Sequence, residues 1–464
     1  MFFIYVFISS IKYTNITIMK SSSLIMAVLF LASVVGYVLW AHEHKDEGEP
    51  IYADCHVHLL DFLQNGEFLN SDNKFPGDVY GHQKEGGRFV SLPYGERGRR
   101  IEVLLESMDQ GRVSNALVSG MPFLKKWSEN EPFQRPKYYL DSPSRVKPAR
   151  DTDVSIGSAI IDYKVKFKDD QARLNQLDRI HPSLCGFDAT DLGAVDLIIK
   201  RIKEFPGVWE CIGEVMSRHD DLTNLTTGER PRANHPSLAR VSRFAGENYL
   251  PVSIHHNIAP ISRNSKEVKL PSYLNEFIEL IEYCREGHHG AKNSTVFIWC
   301  HSGISRRLVV KDLHVWIDAI MKEYSDQLYI DLSWVVLQDY IMPNLKEWVS
   351  LIKRYPNRFM IGSDVVGTVS NIGKSLKPYD ELLNALPKDI RTKVAKKNFV
   401  ELFNEMAKKR QLKGLGNKGI VLPADYGYSE RDHVRPEFKR SSFMETNLHL
   451  FKYNEFNAQN IPGE

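Results

Sequence analysis

Eight short apolar runs, each followed by a stretch of helical or loop character, constrain this chain more than any other feature. The runs are Ile51–Cys55, Ala116–Ser119, Leu184–Phe187, Cys211–Val215, Val252–Ile254, Thr295–Cys300, Leu328–Leu332 and Phe359–Ile361. Continuous apolar runs of this length suit strands buried on both faces of a parallel sheet. Between them, Arg99–Gln110, Leu192–Phe205, Pro236–Asn248, Pro271–Glu286, Leu308–Tyr324 and Leu345–Tyr355 read as helices. Their apolar residues recur three and four apart, as in Ala194, Leu197, Ile198 and Ile202. Breakers such as Phe205-Pro206-Gly207 and Tyr355-Pro356-Asn357 close them. Alternating β and α predicts an α/β fold with a parallel sheet. Eight strands with polar residues at several ends favour a closed (β/α)8 TIM barrel over an open sheet.

The strand ends carry the chemistry. Asp54-Cys55-His56-Val57-His58 follows an apolar start, and residues two apart on a strand share a face. His56 and His58 can therefore present two imidazoles to one cation, with Cys55 and Val57 turned the other way. A lone His-x-His is weak, but four later strand ends add to it. Gly213-Glu214 and Ser363-Asp364 deliver carboxylates; Ile254-His255-His256 and Cys300-His301 deliver imidazoles. Imidazole with carboxylate suits zinc or another first-row divalent ion. His56, His58 and Asp364 can hold one ion, His255 and His301 a second, and Glu214 can bridge them. Paired ions about 3.5–4 Å apart need such a bridge. A shared hydroxide is then the expected nucleophile, with Asp364 moving its proton to the leaving group. On the substrate side, Arg306 and Arg307 open a helix where an anion can bind. Arg218, His219 and Trp334 are weaker candidates on the same rim.

Composition bounds the alternatives. The chain has 464 residues, 42% hydrophobic and 25% charged, which is globular composition. A net charge of +2 gives no basic footprint for nucleic acid, so a small-molecule substrate is expected. Five cysteines at irregular spacing are not a disulfide framework; they read as buried inert thiols, with Cys55 and Cys300 between barrel and helices. Leu24–Trp40 is an uncharged apolar run after Lys20 and before an acidic linker. It predicts a signal peptide or a membrane anchor, with the catalytic part outside the cytoplasm. The start is Met1 or Met19. The expected division is residues 1–48 for this segment and its linker, 49–411 for the barrel, and 412–464 for a C-terminal extension. Leu59–Gly98 and Met121–Pro182 read as long insertions on the barrel rim, with Ile390–Lys408 as a closing helix.

The ordered set Asp-x-His-x-His, Gly-Glu, Pro-Val-x-Ile-His, His-x-Gly and Ser-Asp resembles the amidohydrolase superfamily, most of all its amidohydrolase-related (amidohydrolase 2) branch. Val394-Ala395-Lys396-Lys397-Asn398-Phe399 resembles the Asn-containing helix that closes those barrels, so the likeness spans roughly residues 51 to 408. It implies one or two divalent ions at the C-terminal mouth, with His56, His58, His255, His301 and Asp364 as ligands. Glu214 matches the bridging glutamate of TatD-like members. His256 competes with His255; the spacing from Pro251-Val252 favours His255. The expected activity is hydrolysis of an ester, lactone, amide or phosphoester. Two alternatives remain: a mononuclear decarboxylase or other lyase on the same barrel, and a non-catalytic binding protein.

Overall fold

The computed structural model describes residues 51–59, 82–85, 88–91, 99–122, 147–223, 229–261, 271–285, 295–366, 369–427, 438, 441–447 and 450. The apolar run 24–40 lies outside them, as does most of the first insertion. No helix among the described residues is long and apolar enough to cross a membrane.

Nine parallel strands make the central sheet: β1 (Tyr52–His58), β2 (Val113–Ser119), β3 (Ile180–Leu184), β4 (Cys211–Ser217), β5 (Val252–His256), β6 (Phe297–Trp299), β7 (Leu328–Asp331), β8 (Phe359–Met360) and β9 (Val365–Val366). Their order is β8-β7-β6-β5-β4-β3-β2-β1-β9. The sheet curls because β8 and β9 are two ends of one segment. Phe359 and Met360 pair with Ile330 and Asp331 of β7, while Val365 and Val366 pair with Val57 and His58 of β1. Between them, Cys55 N–H donates to Ile361 O at 3.0 Å and Asp364 N–H to His56 O at 2.9 Å.

Helices α1 (Arg99–Gln110), α2 (Lys147–Lys166), α3 (Ala194–Glu204), α4 (Pro236–Glu247), α5 (Leu274–Arg285), α6 (Leu313–Tyr324), α7 (Leu345–Arg354) and α8 (Asn398–Leu412) complete the principal elements. In α3, Val195, Ile198, Ile199 and Ile202 are buried at helical spacing. Each such side chain contributes roughly 1.5–3 kcal/mol of burial. Helix α4 starts where Pro236 follows His235, whose ring accepts from Ser237 N–H. It stops before Tyr249, which is left-handed at φ 54°.

Strand residues alternate between two cores. Phe297, Trp299, Leu328 and Ile330 join the layer packed on the helices. Ala53, Cys55, Leu117, Cys211, Ile298, Tyr329 and Met360 form a separate inner cluster with Phe399, Leu402, Phe403 and Met406 of α8. Helix α8 thus packs against the inner residues of the sheet. Asn398 fixes it there, donating to Pro356 O at 3.0 Å and Phe359 O at 2.8 Å.

Three expectations are corrected. Cys55 lies in the inner cluster, not between sheet and helices, because the register shifts within β1 between Asp54 and Val57. The third strand sits about four residues earlier than expected. Its polar His181 and Ser183 point to Glu210 and Gly213 O, so no apolar run marks it. The second insertion is not simply loop, since it carries α2 and a short helix, Gln171–Gln176. Past α8, Ile420 N–H donates to Trp209 O and Ile420 O accepts from Gly207 N–H, tying the extension to the chain just before β4.

Candidate metal centre

The centre is assembled from strand ends. His56 and His58 extend from one face of β1, buried, with their Nε2 atoms 3.2 Å apart. Asp54 anchors the strand by accepting from His56 N–H at 3.0 Å and Ser363 N–H at 2.8 Å. Burial pushes the Asp54 carboxyl up to about 6 despite these bonds. Glu214 arrives from β4 with one oxygen for each side of the cluster. Its Oε2 lies 3.6 Å from His56 Nε2 and 3.4 Å from His58 Nε2. Its Oε1 lies 3.0 Å from His255 Nδ1 and 3.6 Å from His301 Nε2. Asp364 Oδ1 stands 3.7 Å from His56 Nε2 and 3.6 Å from His58 Nε2. All six expected side chains therefore converge.

The outward nitrogens define the inward ones. His58 Nδ1–H donates to Gly120 O at 2.9 Å. His255 Nε2–H donates to Asn257 Oδ1 at 3.1 Å. Asp331 Oδ2 accepts from His56 Nδ1 at 2.8 Å and from Ser333 Oγ at 2.8 Å, while Ser333 Oγ accepts from His301 Nδ1 at 2.8 Å. A ring nitrogen that donates outward leaves a lone pair on its partner. Four lone pairs and two carboxylates then face one another inside a buried site. Such an arrangement repels itself unless a positive charge lies within it.

The titration behaviour shows the same demand. Burial alone would raise Glu214, yet a positive charge on His56, with the His255 and His301 rings close by, holds it well below the usual carboxylate range. Burial would lower His56, but the Glu214 charge reverses this and holds it well above its usual value. A proton on His56 or a divalent cation satisfies the cluster. The donor set fits a cation: His56, Glu214 and His301 form one group with ligand atoms within 4.8 Å of one another, and His56, His58 and Asp364 form another. Among the described residues His255 belongs to no such group and reaches the centre through Glu214.

A cavity of about 360 Å³ opens over the cluster, lined also by Met121, Met216, His219, Arg306 and Trp334. His219 stacks on His255 with ring centroids 4.1 Å apart, and its Nδ1 has no hydrogen-bond partner among the described residues. Trp334 stands edge-on to His301 at 5.1 Å, and the Arg306 guanidinium lies over its ring at 5.3 Å. Arg307 does not line the cavity.

Arg218 is a correction. It is left-handed at φ 49° and turns from the cavity to bond Glu276 of α5 bidentately, over the Tyr273 ring. His256 is likewise outside the cluster. It accepts from Ser217 Oγ and donates to Tyr273 O, and burial lowers it to about 3. Cys300 is nearer than expected, with Sγ grouped with His56 and Asp331, although burial pushes its thiol up to about 12. The residue missed was Asp331. It ends β7 as Asp364 follows β8, so the strand-end rule applied to the seventh run finds it.

No family model matches the chain, and neither does any curated protein. Solved structures do resemble it. One is titled amidohydrolase II, at 16% identity and TM-score 0.39, covering 76% of this chain and 99% of that one. Another is 2,6-dihydroxybenzoate decarboxylase with 2,6-dihydroxybenzoate, at 14%, TM-score 0.40, and 76% and 98% coverage. A third is 4-oxalomesaconate hydratase from Rhodopseudomonas palustris, at 12%, TM-score 0.42, and 78% and 98% coverage.

Proposed function

We propose that this chain is a metal-dependent hydrolase of the amidohydrolase type on a closed (β/α)8 barrel, acting on a small ester, lactone, amide or phosphoester. One observation carries the proposal: the two oxygens of Glu214 face four imidazole nitrogens from β1, β5 and the turn after β6 at 3.0–3.6 Å. His56, His58, Glu214, His301 and Asp364 would hold a divalent cation, zinc by donor preference, and His255 would complete a second position. A bound cation supplies Lewis-acid activation of water and of the substrate oxygen. Asp364, at the edge of the cluster beneath the cavity, would use the carboxylate oxygen not turned to the cation to take a proton from the attacking water and return it to the leaving group. Trp334 and His219 wall the substrate space, and Arg306 places a cation at its mouth. Residues 24–40 would serve export or anchoring, leaving 49–411 as the catalytic barrel outside the cytoplasm and 412–464 as an extension.

A single-ion lyase is the second reading, favoured by the absence of His255 from every compact ligand group among the described residues. Elemental analysis of metal-loaded protein, paired with a panel of esters, lactones, amides, phosphoesters and aryl carboxylates, separates the readings. Two ions and hydrolytic turnover support the first. One ion, retained in Glu214→Gln, with carboxylate loss only, replaces it by the second. Loaded protein that turns over nothing in the panel defeats both.

A further inference from the structure

A second cavity lies at the opposite end of the strands. It occupies about 430 Å³ between α2, the Gln171–Arg179 stretch, the first residues of β3, and the chain just before β4. That volume is in the range that holds small organic ligands. The metal cluster sits at the C-terminal strand ends, whereas Ile180 and Glu210 of this cavity sit at or before the N-terminal ends. The two spaces are therefore separate.

Its walls combine apolar side chains, including Ile160, Leu177 and Val208, with three ammonium groups, Lys164, Lys168 and Lys418. Lys418 is engaged. It donates to Ile180 O at 3.0 Å and to Leu177 O, with Glu210 Oε1 at 3.6 Å and Asp178 Oδ1 at 3.7 Å. Glu210 is matched in turn by His181 at 2.9 Å and Arg410 at 3.9 Å. Lys164 is different. It is half-buried, and among the described residues no carboxylate pairs with it or with Lys168. Burial and the neighbouring Lys418 charge push its ammonium below the usual range, Asp178 offsets this only in part, and an added negative charge would relieve the rest.

We propose that this cavity binds a small organic monoanion, a carboxylate on an apolar aryl body, with the carboxylate between Lys164 and Lys168 and the body against Ile160, Leu177 and Val208. Three ammonium groups against the carboxylates of Glu210 and Asp178 leave an excess of one positive charge along the walls, which one carboxylate on the ligand matches. Neutral molecules of the same shape would leave Lys164 unpaired.

Isothermal titration of the full chain with phenylacetate, and with the neutral phenylacetamide, tests this. Expected is saturable binding of phenylacetate with a Kd on the order of 1 mM or tighter. Lys164→Gln with Lys168→Gln should weaken it about tenfold, and phenylacetamide should bind the parent about tenfold more weakly. Both lysines are partly exposed, so a native circular dichroism spectrum should accompany the loss. Arg306→Gln should leave the binding unchanged, which excludes capture in the metal-side cavity. No saturable binding at about 10 mM overturns the proposal, as does equal binding of the amide or parent-like affinity in the lysine pair variant.

Discussion

Asp331→Asn should cripple metal retention without unfolding the protein. The carboxylate is fully buried, and its Oδ1 accepts from Ser333 N–H at 2.7 Å. Its Oδ2 is the acceptor shared by His56 Nδ1 and Ser333 Oγ, each at 2.8 Å, and Ser333 in turn accepts from His301. One carboxylate thereby sets the tautomer of two rings. An asparagine that keeps its oxygen on Ser333 N–H must put its NH2 where Oδ2 was, facing two donors. The relief is for His56 to move its proton to Nε2, which removes the lone pair that faces Glu214. Outer partners of ligating histidines are worth 10- to 100-fold in metal affinity. Two rings depend on this one, so the upper end applies: about 100-fold, or about 2.7 kcal/mol. Chelator competition read by a metallochromic dye measures it, with circular dichroism reporting the fold. Ser333→Ala, which releases the His301 ring but leaves His56 on Asp331, should lose less. Asp331→Asn that is native and holds metal within about threefold of the parent would refute this account of how the rings are oriented.

Other substitutions probe separate parts of the structure. Asp364→Ala should abolish turnover and weaken metal while the protein stays folded; full activity would remove Asp364 as the proton carrier. Gly213→Ala places a Cβ 2.0 Å from Ser253 O at φ 126°, and urea unfolding should show a loss of about 3 kcal/mol or more. Gly414→Ala, at φ 71° with nothing within 4 Å, should cost only about 1 kcal/mol. Asp153 accepts from Cys185 N–H and Gly186 N–H, yet burial pushes it up to about 7. Its folded form keeps a proton that the unfolded chain releases above pH ~4, so stability should fall as pH rises to ~7, on the order of 4 kcal/mol in all. Asp153→Asn should flatten that slope; an unchanged slope in urea titrations at several pH values would show that Asp153 is ionised in the fold.

Periodicity made most of this architecture legible. Runs such as Val252–Ile254 and Leu328–Leu332 are apolar because both faces of the strand are covered, and the helix Arg99–Gln110 stands where its spacing placed it. The convergence of the polar side chains was legible for the same reason: a polar side chain that ends an apolar strand has few places to go but the rim. The failures have a common cause. In β3, His181 and Ser183 answer Glu210 and Gly213 O, contacts made across the sheet rather than along it. Arg218 follows a strand end as His219 does, but a left-handed backbone sends it to Glu276, about sixty residues away in sequence. Cys55 lies inward because of a local register shift in β1. Each turns on a partner or a dihedral angle that spacing does not encode.

Backbone strain gathers where the chemistry is placed. Of the eight non-glycine residues with positive φ among those described, five lie at the C-terminal strand ends: Arg218, His301, Ser302, Trp334 and Asp364. Left-handed backbone costs such residues about 1 kcal/mol or more apiece. Two of the five, His301 and Asp364, are in the cluster, Trp334 lines the cavity over it, and Arg218 turns away to Glu276. A strand that continued regularly past its last residue would send alternate side chains to opposite faces. The left-handed turn re-aims the side chain at the strand's end, which brings His301 Nε2 toward Glu214 and Asp364 Oδ1 toward His58. The surrounding bonds hold these conformations in place: Asp364 N–H on His56 O, Ser333 on His301, and Asp54 on Ser363. The buried core of sheet and helices supplies the stability that this costs, and the geometry it maintains keeps four imidazoles and two carboxylates together.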